Sequence, residues 1–253
     1  MPPMLLRDRL EAVGSRLFRF RSFIPVLAVA EIPIAVMRAE PDRFGADAIA
    51  PIGLVLALCG LAFRILTIGF VPGGTSGRNF RQKARRLNTT GAYSIVRNPL
   101  YVANFFCWTG VSLMLRDPLL IALNAALFLI FYLLIILREE RFLEGKFGDD
   151  YRAFAERVPC LIPDPRLWYA PNRDFSLRTA LRREPDTIFG TIASLVGLQL
   201  VWQGFVPGTA PVGTFWIALL GGTLVLWLAL KWMKRFTGLL RGPAQPAPQS
   251  PVR

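Results

Sequence analysis

Histidine is absent from all 253 residues, and that single absence removes several chemistries. A Ser-His-Asp hydrolase, a His-ligated zinc centre, a bis-His haem and a His-rich di-iron site all require imidazole. Cysteine is scarce: Cys59, Cys107 and Cys160 are scattered, with two inside apolar runs. They suit neither a disulfide framework nor a thiolate metal site and read as three buried small hydrophobes. No metal is expected. Acidic residues are few as well, 17 against 30 Lys and Arg, for a formal charge of +13. A cleavable signal peptide is not evident, because the first apolar run begins late and lacks a small-residue cleavage pattern.

What the chain has in excess is apolar surface. Hydrophobic residues make up 53% of it, a share that, with so much charge, fits the membrane class. Crossing a hydrocarbon layer of roughly 30 Å takes about 20 apolar residues. Six runs approach that length, at residues 22–37, 48–70, 99–115, 118–137, 187–206 and 212–233. Charge placement tests the parse, since Lys and Arg collect on the cytoplasmic side. Arg7, Arg9, Arg16, Arg19 and Arg21 precede the first run; six basic residues lie within 78–97 and ten within 138–183; Lys234, Arg235, Arg241 and Arg253 follow the last. The alternate connections hold only Arg38, Arg43 and Arg116. The expected fold is therefore an all-α integral membrane protein of about six transmembrane helices, with both termini and both long loops cytoplasmic. Basic charge beside membrane ends answers to anionic headgroups, so membrane lipids are expected partners and nucleic acid is not.

Residues 1–21 mix Leu5, Leu6, Leu10, Val13 and Leu17 with arginines, the pattern of an amphipathic helix lying on a membrane surface. Glu31 falls near mid-membrane, where an ionisable group is costly unless paired. Arg64 in the second run is its expected partner. After the fourth run, Glu139, Glu140, Phe142, Leu143, Phe147, Tyr151 and Phe154 keep a helical rhythm until Pro159 and Pro163, so that helix is expected to continue beyond the bilayer. The last two runs are joined by a short turn and read as packing or dimerisation material. Residues 242–253 alternate Pro, Ala, Gln and Ser and are expected to be disordered.

Two polar clusters stand at the cytoplasmic boundary. Gly91, Tyr93, Arg97, Asn98, Pro99 and Tyr101 enter the third run; Arg138, Glu139, Glu140 and Arg141 leave the fourth. The third and fourth runs are joined by a turn around Asp117 and Pro118, so they are antiparallel and the clusters can meet. Carboxylates can hold an ammonium or ribose hydroxyls, an arginine can hold a carboxylate, and the aromatic face of Tyr101, Phe105 and Trp108 can accept a cationic centre. Interfacial anchoring accounts for the same residues equally well, and composition alone does not identify a cofactor.

The stretch Gly91-Ala-Tyr-Ser-Ile-Val-Arg-Asn-Pro-Leu-Tyr101, two runs joined by a tight turn, Glu139-Glu140, then Phe147-Gly-Asp-Asp-Tyr151 through Val158-Pro159 to Ile162-Pro163, resembles the isoprenylcysteine carboxyl methyltransferase and phospholipid methyltransferase superfamily. The resemblance covers residues 87–163. It implies a cytoplasmic-face pocket for S-adenosylmethionine, with Arg97 and Glu140 catalytic and Tyr93, Asn98, Pro99, Tyr101, Glu139 and Glu140 binding the cofactor. Asn98 stands where the family usually has histidine, and an amide can hydrogen-bond but cannot titrate near neutral pH.

On that reading the chain divides into an amphipathic segment at 1–21, transmembrane helices one and two at 22–70, a catalytic core at 71–186, a transmembrane hairpin at 187–235 and a disordered tail at 236–253. The motif marks the cofactor site and leaves the acceptor open between a prenylcysteine-like carboxylate and a lipid amine. Arginine greatly outnumbers lysine, which points to a GC-rich bacterial genome and an inner-membrane location. The acceptor is therefore an unidentified lipophilic or lipid-modified molecule. Two rivals remain: an NADPH-dependent membrane reductase of the sterol-reductase type, kept open by the basic residues at 78–86, and a noncatalytic membrane protein. The sequence does not fix the oligomeric state.

Overall fold

Where water is excluded, each apolar segment must satisfy its own backbone groups, and helices do so within one segment. A computed structural model describes residues 31–38, 46–71, 86–206, 209, 211 and 213–240. Among these every regular element is helical: α1 (Ile32–Met37), α2 (Ala46–Phe70), α3 (Ala92–Ile95), α4 (Pro99–Leu113), α5 (Pro118–Phe147), α6 (Asp149–Arg157), a 3-10 turn (Pro165–Leu167), α7 (Leu177–Arg183), α8 (Pro185–Phe205) and α9 (Thr214–Phe236). Proline opens α4, α5 and α8, where its missing N–H costs nothing. Asp117 caps α5, its carboxylate accepting from the N–H groups of Leu119 and Leu120 at 2.9 and 3.1 Å.

Among the described residues four helices are long and apolar enough to cross a membrane: α2 over Ile49–Phe70, then α5, α8 and α9. The third expected run forms a helix of only 15 residues, about 22 Å at 1.5 Å per residue. It stops because the chain turns at Arg116, which takes a φ of +53°, and restarts at the Asp117 cap. Of the first run only the part from residue 31 is described. The amphipathic segment at 1–21, most of the basic stretch at 78–86 and the tail at 242–253 lie outside the described residues. The fourth run continues as expected: α5 has 30 residues, about 45 Å. The expected rhythm to Phe154 is interrupted, however, at Gly148, whose φ of +54° is a conformation side chains disfavour. Tyr151 and Phe154 belong to the separate α6, which buries them with Val158 against Leu87, Leu143 and Phe147.

The helices run alternately up and down. α2 and α4 make the tightest contact through small residues, the means by which membrane helices approach closely. Gly53, Ala57 and Gly60 face Gly110, Cys107 and Ala103; a Cβ on Gly110 would lie 2.5 Å from the carbonyl oxygen of Gly53 and 2.8 Å from the nitrogen of Ala57. Both obstacles are backbone, so no side chain can yield. Gly110→Leu is expected to destabilise the protein by more than the about 1–3 kcal/mol typical of overpacking, read as thermal unfolding in detergent. Gly222→Leu on α9, where an added Cβ meets nothing within 4 Å, is the control and should leave the transition unchanged.

α8 packs on α1, α2 and α4, and α9 packs on α8. Leu195 and Val196 of α8 are fully buried with Ala57 of α2, so the C-terminal hairpin does supply packing. The expected pairing of Glu31 with Arg64 is overturned. Glu31 receives a hydrogen bond from Asn124 of α5, toward the Asp117 end, whereas Arg64 lies two turns from the opposite end of α2 and pairs with Glu184. The two charges sit at different depths, and each has a nearer partner.

Candidate functional site

The C-terminal ends of α2 and α5 and the N-terminal ends of α4 and α8 share one end of the bundle, which brings the two sequence clusters together. Backbone hydrogen bonds lace the 91–97 turn to the segment after α6. Gly91 N–H donates to the Tyr169 carbonyl, Asp164 N–H to that of Ile95 and Arg97 N–H to that of Pro159, each at 2.9 Å. Ser94 adds a side-chain stitch, donating to the Gly91 carbonyl at 2.7 Å and accepting from Tyr169 N–H at 2.9 Å. This lacing fixes Arg97 and Asn98 against Cys160 and the end of α5.

Arg97 Nε lies 2.9 Å from Glu140 Oε1, and Nη1 donates to the Ala155 carbonyl. The Nε contact has ion-pair distance without an in-line hydrogen bond, leaving Nε a buried donor with no aligned acceptor. Asn98 donates to the Cys160 carbonyl at 3.2 Å. The Cys160 thiol points toward Glu140 Oε1 at 3.8 Å. Burial, then the Glu140 charge, pushes that thiol up. The Tyr151 phenol is pushed up in the same way, by burial and then by Glu140, to which it is hydrogen-bonded. Glu140 therefore gathers an arginine, a phenol and a thiol.

Glu139 has other neighbours. Successive helical residues point about 100° apart, and Glu139 lies beside Tyr93, whose phenol burial and the Glu139 carboxylate push up to about 12. Arg183 at the end of α7 stands on the same side; burial lowers its guanidinium, with Tyr93 and Glu184 opposing. The two glutamates thus serve two adjoining subclusters, one with Arg97, Asn98, Tyr151 and Cys160, the other with Tyr93 and Arg183. Pro99 is buried at the start of α4. Tyr101 faces Tyr132 of α5 edge-on at 5.0 Å, and below them Phe105 and Trp108 contact Phe128 at 5.3 and 6.0 Å. The aromatic face expected on α4 is therefore one side of a wall shared with α5.

All the sequence-derived site residues lie at this end. Reading the sequence missed Tyr151, Cys160 and Arg183 in the site, and Glu184 beside it. Cys160 was expected to be a buried hydrophobe; it is half-buried beside a carboxylate, and Cys59 is exposed, so only Cys107 fits that expectation. Glu184 carried a usable signal, an acidic residue immediately before a helix-opening proline. Among the described residues no group of three or more His, Cys, Asp or Glu could hold a metal ion.

The phospholipid methyltransferase family model matches residues 49–150, from α2 to just past Gly148. Cobalt-zinc-cadmium resistance protein CzcN of Cupriavidus metallidurans is 30% identical over 127 residues, 50% of this chain and 56% of that protein. Protein-S-isoprenylcysteine O-methyltransferase B of Arabidopsis thaliana is 34% identical over 97 residues, 35% of this chain and 49% of that protein. The Schizosaccharomyces pombe protein-S-isoprenylcysteine O-methyltransferase is 36% identical over 84 residues, 33% of this chain and 35% of that protein. The chain thus spans about half or less of the length of these curated relatives. No solved structure matches it significantly. The Arg97 and Glu140 clusters, brought together at one end of the bundle, both lie within the segment that matches the phospholipid methyltransferase family, and the chain is similar in part to the isoprenylcysteine methyltransferases named above.

Proposed function

We propose that the protein is an S-adenosylmethionine-dependent methyltransferase of a bacterial inner membrane, spanning it with six helices and acting at the cytoplasmic face on a lipophilic acceptor. The observation that carries this reading is the meeting of Arg97, Asn98 and Glu140 at the end of an aromatic wall between α4 and α5. The described part of the basic loops gathers at that same end, in keeping with a cytoplasmic orientation.

The donor set fits the cofactor. Arg97 Nε is a buried donor lacking an aligned acceptor, suited to a carboxylate. Glu139 and Glu140 stand in adjoining subclusters, and their carboxylates are suited to an ammonium and to ribose hydroxyls. The rings of Tyr93 and Tyr101 offer faces to a cationic centre. When bound, S-adenosylmethionine supplies an electrophilic methyl group on a sulfonium. The chain's own task is then positioning, since in-line displacement gains mainly from approach and alignment. Asn98 holds the Cys160 carbonyl and keeps the loop closed over Glu140. Without histidine, a carboxylate acceptor is the simplest case, because it arrives ionised and needs no base. An amine acceptor would have to shed its proton to Glu139, Glu140 or water.

Calorimetry on the detergent-purified protein tests the reading, with S-adenosylmethionine in one titration and NADPH in the other. Saturable binding of S-adenosylmethionine alone is expected. Binding of NADPH in its place would overturn the proposal in favour of a reductase, and binding of neither would leave a noncatalytic membrane protein.

A further inference from the structure

One buried ion pair adjoins the site without belonging to the Arg97 layer. Arg64 of α2 is 8% exposed and Glu184, at the start of α8, is 3% exposed. They form a two-pronged contact, Nε to Oε2 and Nη2 to Oε1, both 2.9 Å, the strong geometry for a guanidinium and a carboxylate. Arg64 Nη1 also donates to Asn104 Oδ1 and, at 3.5 Å, to the Leu100 carbonyl. Asn104 Nδ2 then donates to the Tyr132 hydroxyl at 3.2 Å. Tyr132 stacks on Phe128 at 4.0 Å and meets Tyr101 edge-on. A continuous line of contacts therefore runs from a carboxylate on α8 to the aromatic wall between α4 and α5.

The direction of this line is chemically fixed. A guanidinium only donates, so Asn104 must turn its oxygen to Arg64 and its NH2 to Tyr132. Tyr132 is thereby the acceptor in that contact, and its ring is held across the wall. Beyond Tyr101, the rings of Phe105, Trp108 and Tyr132 are each only half-buried, so this part of the wall presents ring faces with no ionised group among them. Such a surface suits a hydrocarbon chain.

We propose that Arg64 and Glu184 are positioning residues for the lipophilic acceptor: acting through Asn104, they set Tyr132 and the wall on which the acceptor's hydrocarbon lies. This rests on the methyltransferase reading for the identity of the acceptor. Glu184 lies outside the family-matched segment 49–150, so the C-terminal hairpin contributes to selectivity as well as to packing. The hydrogen bonds from Arg64 to Glu184 and from Asn104 to Tyr132 involve neither Arg97 nor Glu140.

The test uses the full-length protein in nanodiscs and two titrations, S-adenosylmethionine and N-acetyl-S-farnesylcysteine as a prenylcysteine probe. Arg64→Met with Glu184→Leu removes both charges together; Asn104→Leu leaves the ion pair whole and cuts the line one step later. Both variants are expected to bind S-adenosylmethionine within about twofold of the parent and the farnesyl probe at least about tenfold more weakly. A role confined to stability predicts otherwise, since Asn104→Leu keeps the ion pair and would bind the probe normally. Normal probe binding by either variant overturns the proposal, as does loss of S-adenosylmethionine binding in both. If the parent binds S-adenosylmethionine but not the probe, the acceptor wall is refuted and the cofactor reading stands. If the parent binds only the probe, the cofactor reading fails and the variants still decide the proposal.

Discussion

Arg97→Ala is expected to lower the affinity for S-adenosylmethionine by at least about 100-fold while leaving membrane insertion intact. Each hydrogen bond from the guanidinium to a cofactor carboxylate contributes about 1.5–3 kcal/mol, and about 2.7 kcal/mol is already 100-fold. Here the loss is compounded. Without the guanidinium, Glu140 keeps its charge beside a buried phenol and a half-buried thiol, Tyr151 and Cys160. The Ala155 carbonyl also loses its donor. Glu140→Gln removes the charge but keeps the shape, so it should cost less, about 10- to 100-fold. Arg97→Lys restores charge without the planar fork and should recover only part of the binding. Calorimetry, with membrane fractionation as the folding control, gives the result; if Arg97→Ala binds like the parent, the cofactor site lies elsewhere.

The site was legible in the sequence where its parts are contiguous or linked by a short turn. Arg97, Asn98, Pro99 and Tyr101 are successive or nearly so, and the turn at Asp117 forces α4 and α5 to be neighbours, so Glu139 and Glu140 had to come close. Tyr101, Phe105 and Trp108 share a helix face by spacing alone. Cys160 and Tyr151 were not legible, because their position depends on Arg97 N–H reaching the Pro159 carbonyl across a stretch containing a helix break at Gly148. Gly148 itself gave no warning, since Phe147 and Tyr151 keep helical phase across it. The split of the glutamates between two subclusters likewise needs Arg183, which α7 delivers from outside the motif. Local order was readable; the return of distant segments onto the core was not.

The same distinction governs the Arg64 pair. Arg64→Met is expected to destabilise the protein by about 3–5 kcal/mol, because it leaves Glu184 buried with no counter-charge. An arginine within an apolar run announces that it needs a partner, and Glu31, an ionisable residue near mid-membrane, was the expected one. What decides the matter is that α8 packs back on α2 and lowers the start of its helix, Glu184-Pro185, onto Arg64 at 2.9 Å. Replacing a buried pair by apolar residues is often neutral, so adding Glu184→Leu should restore much of the lost stability. Adding Glu31→Gln should not, since Glu31 accepts from Asn124 and lies in a different layer. A double-mutant cycle by thermal unfolding separates these outcomes: a coupling of about 0.5–3 kcal/mol is expected for contacting residues, and additivity for distant ones. Coupling of Arg64 to Glu31 rather than Glu184 would mean that α8 does not dock where its buried face places it.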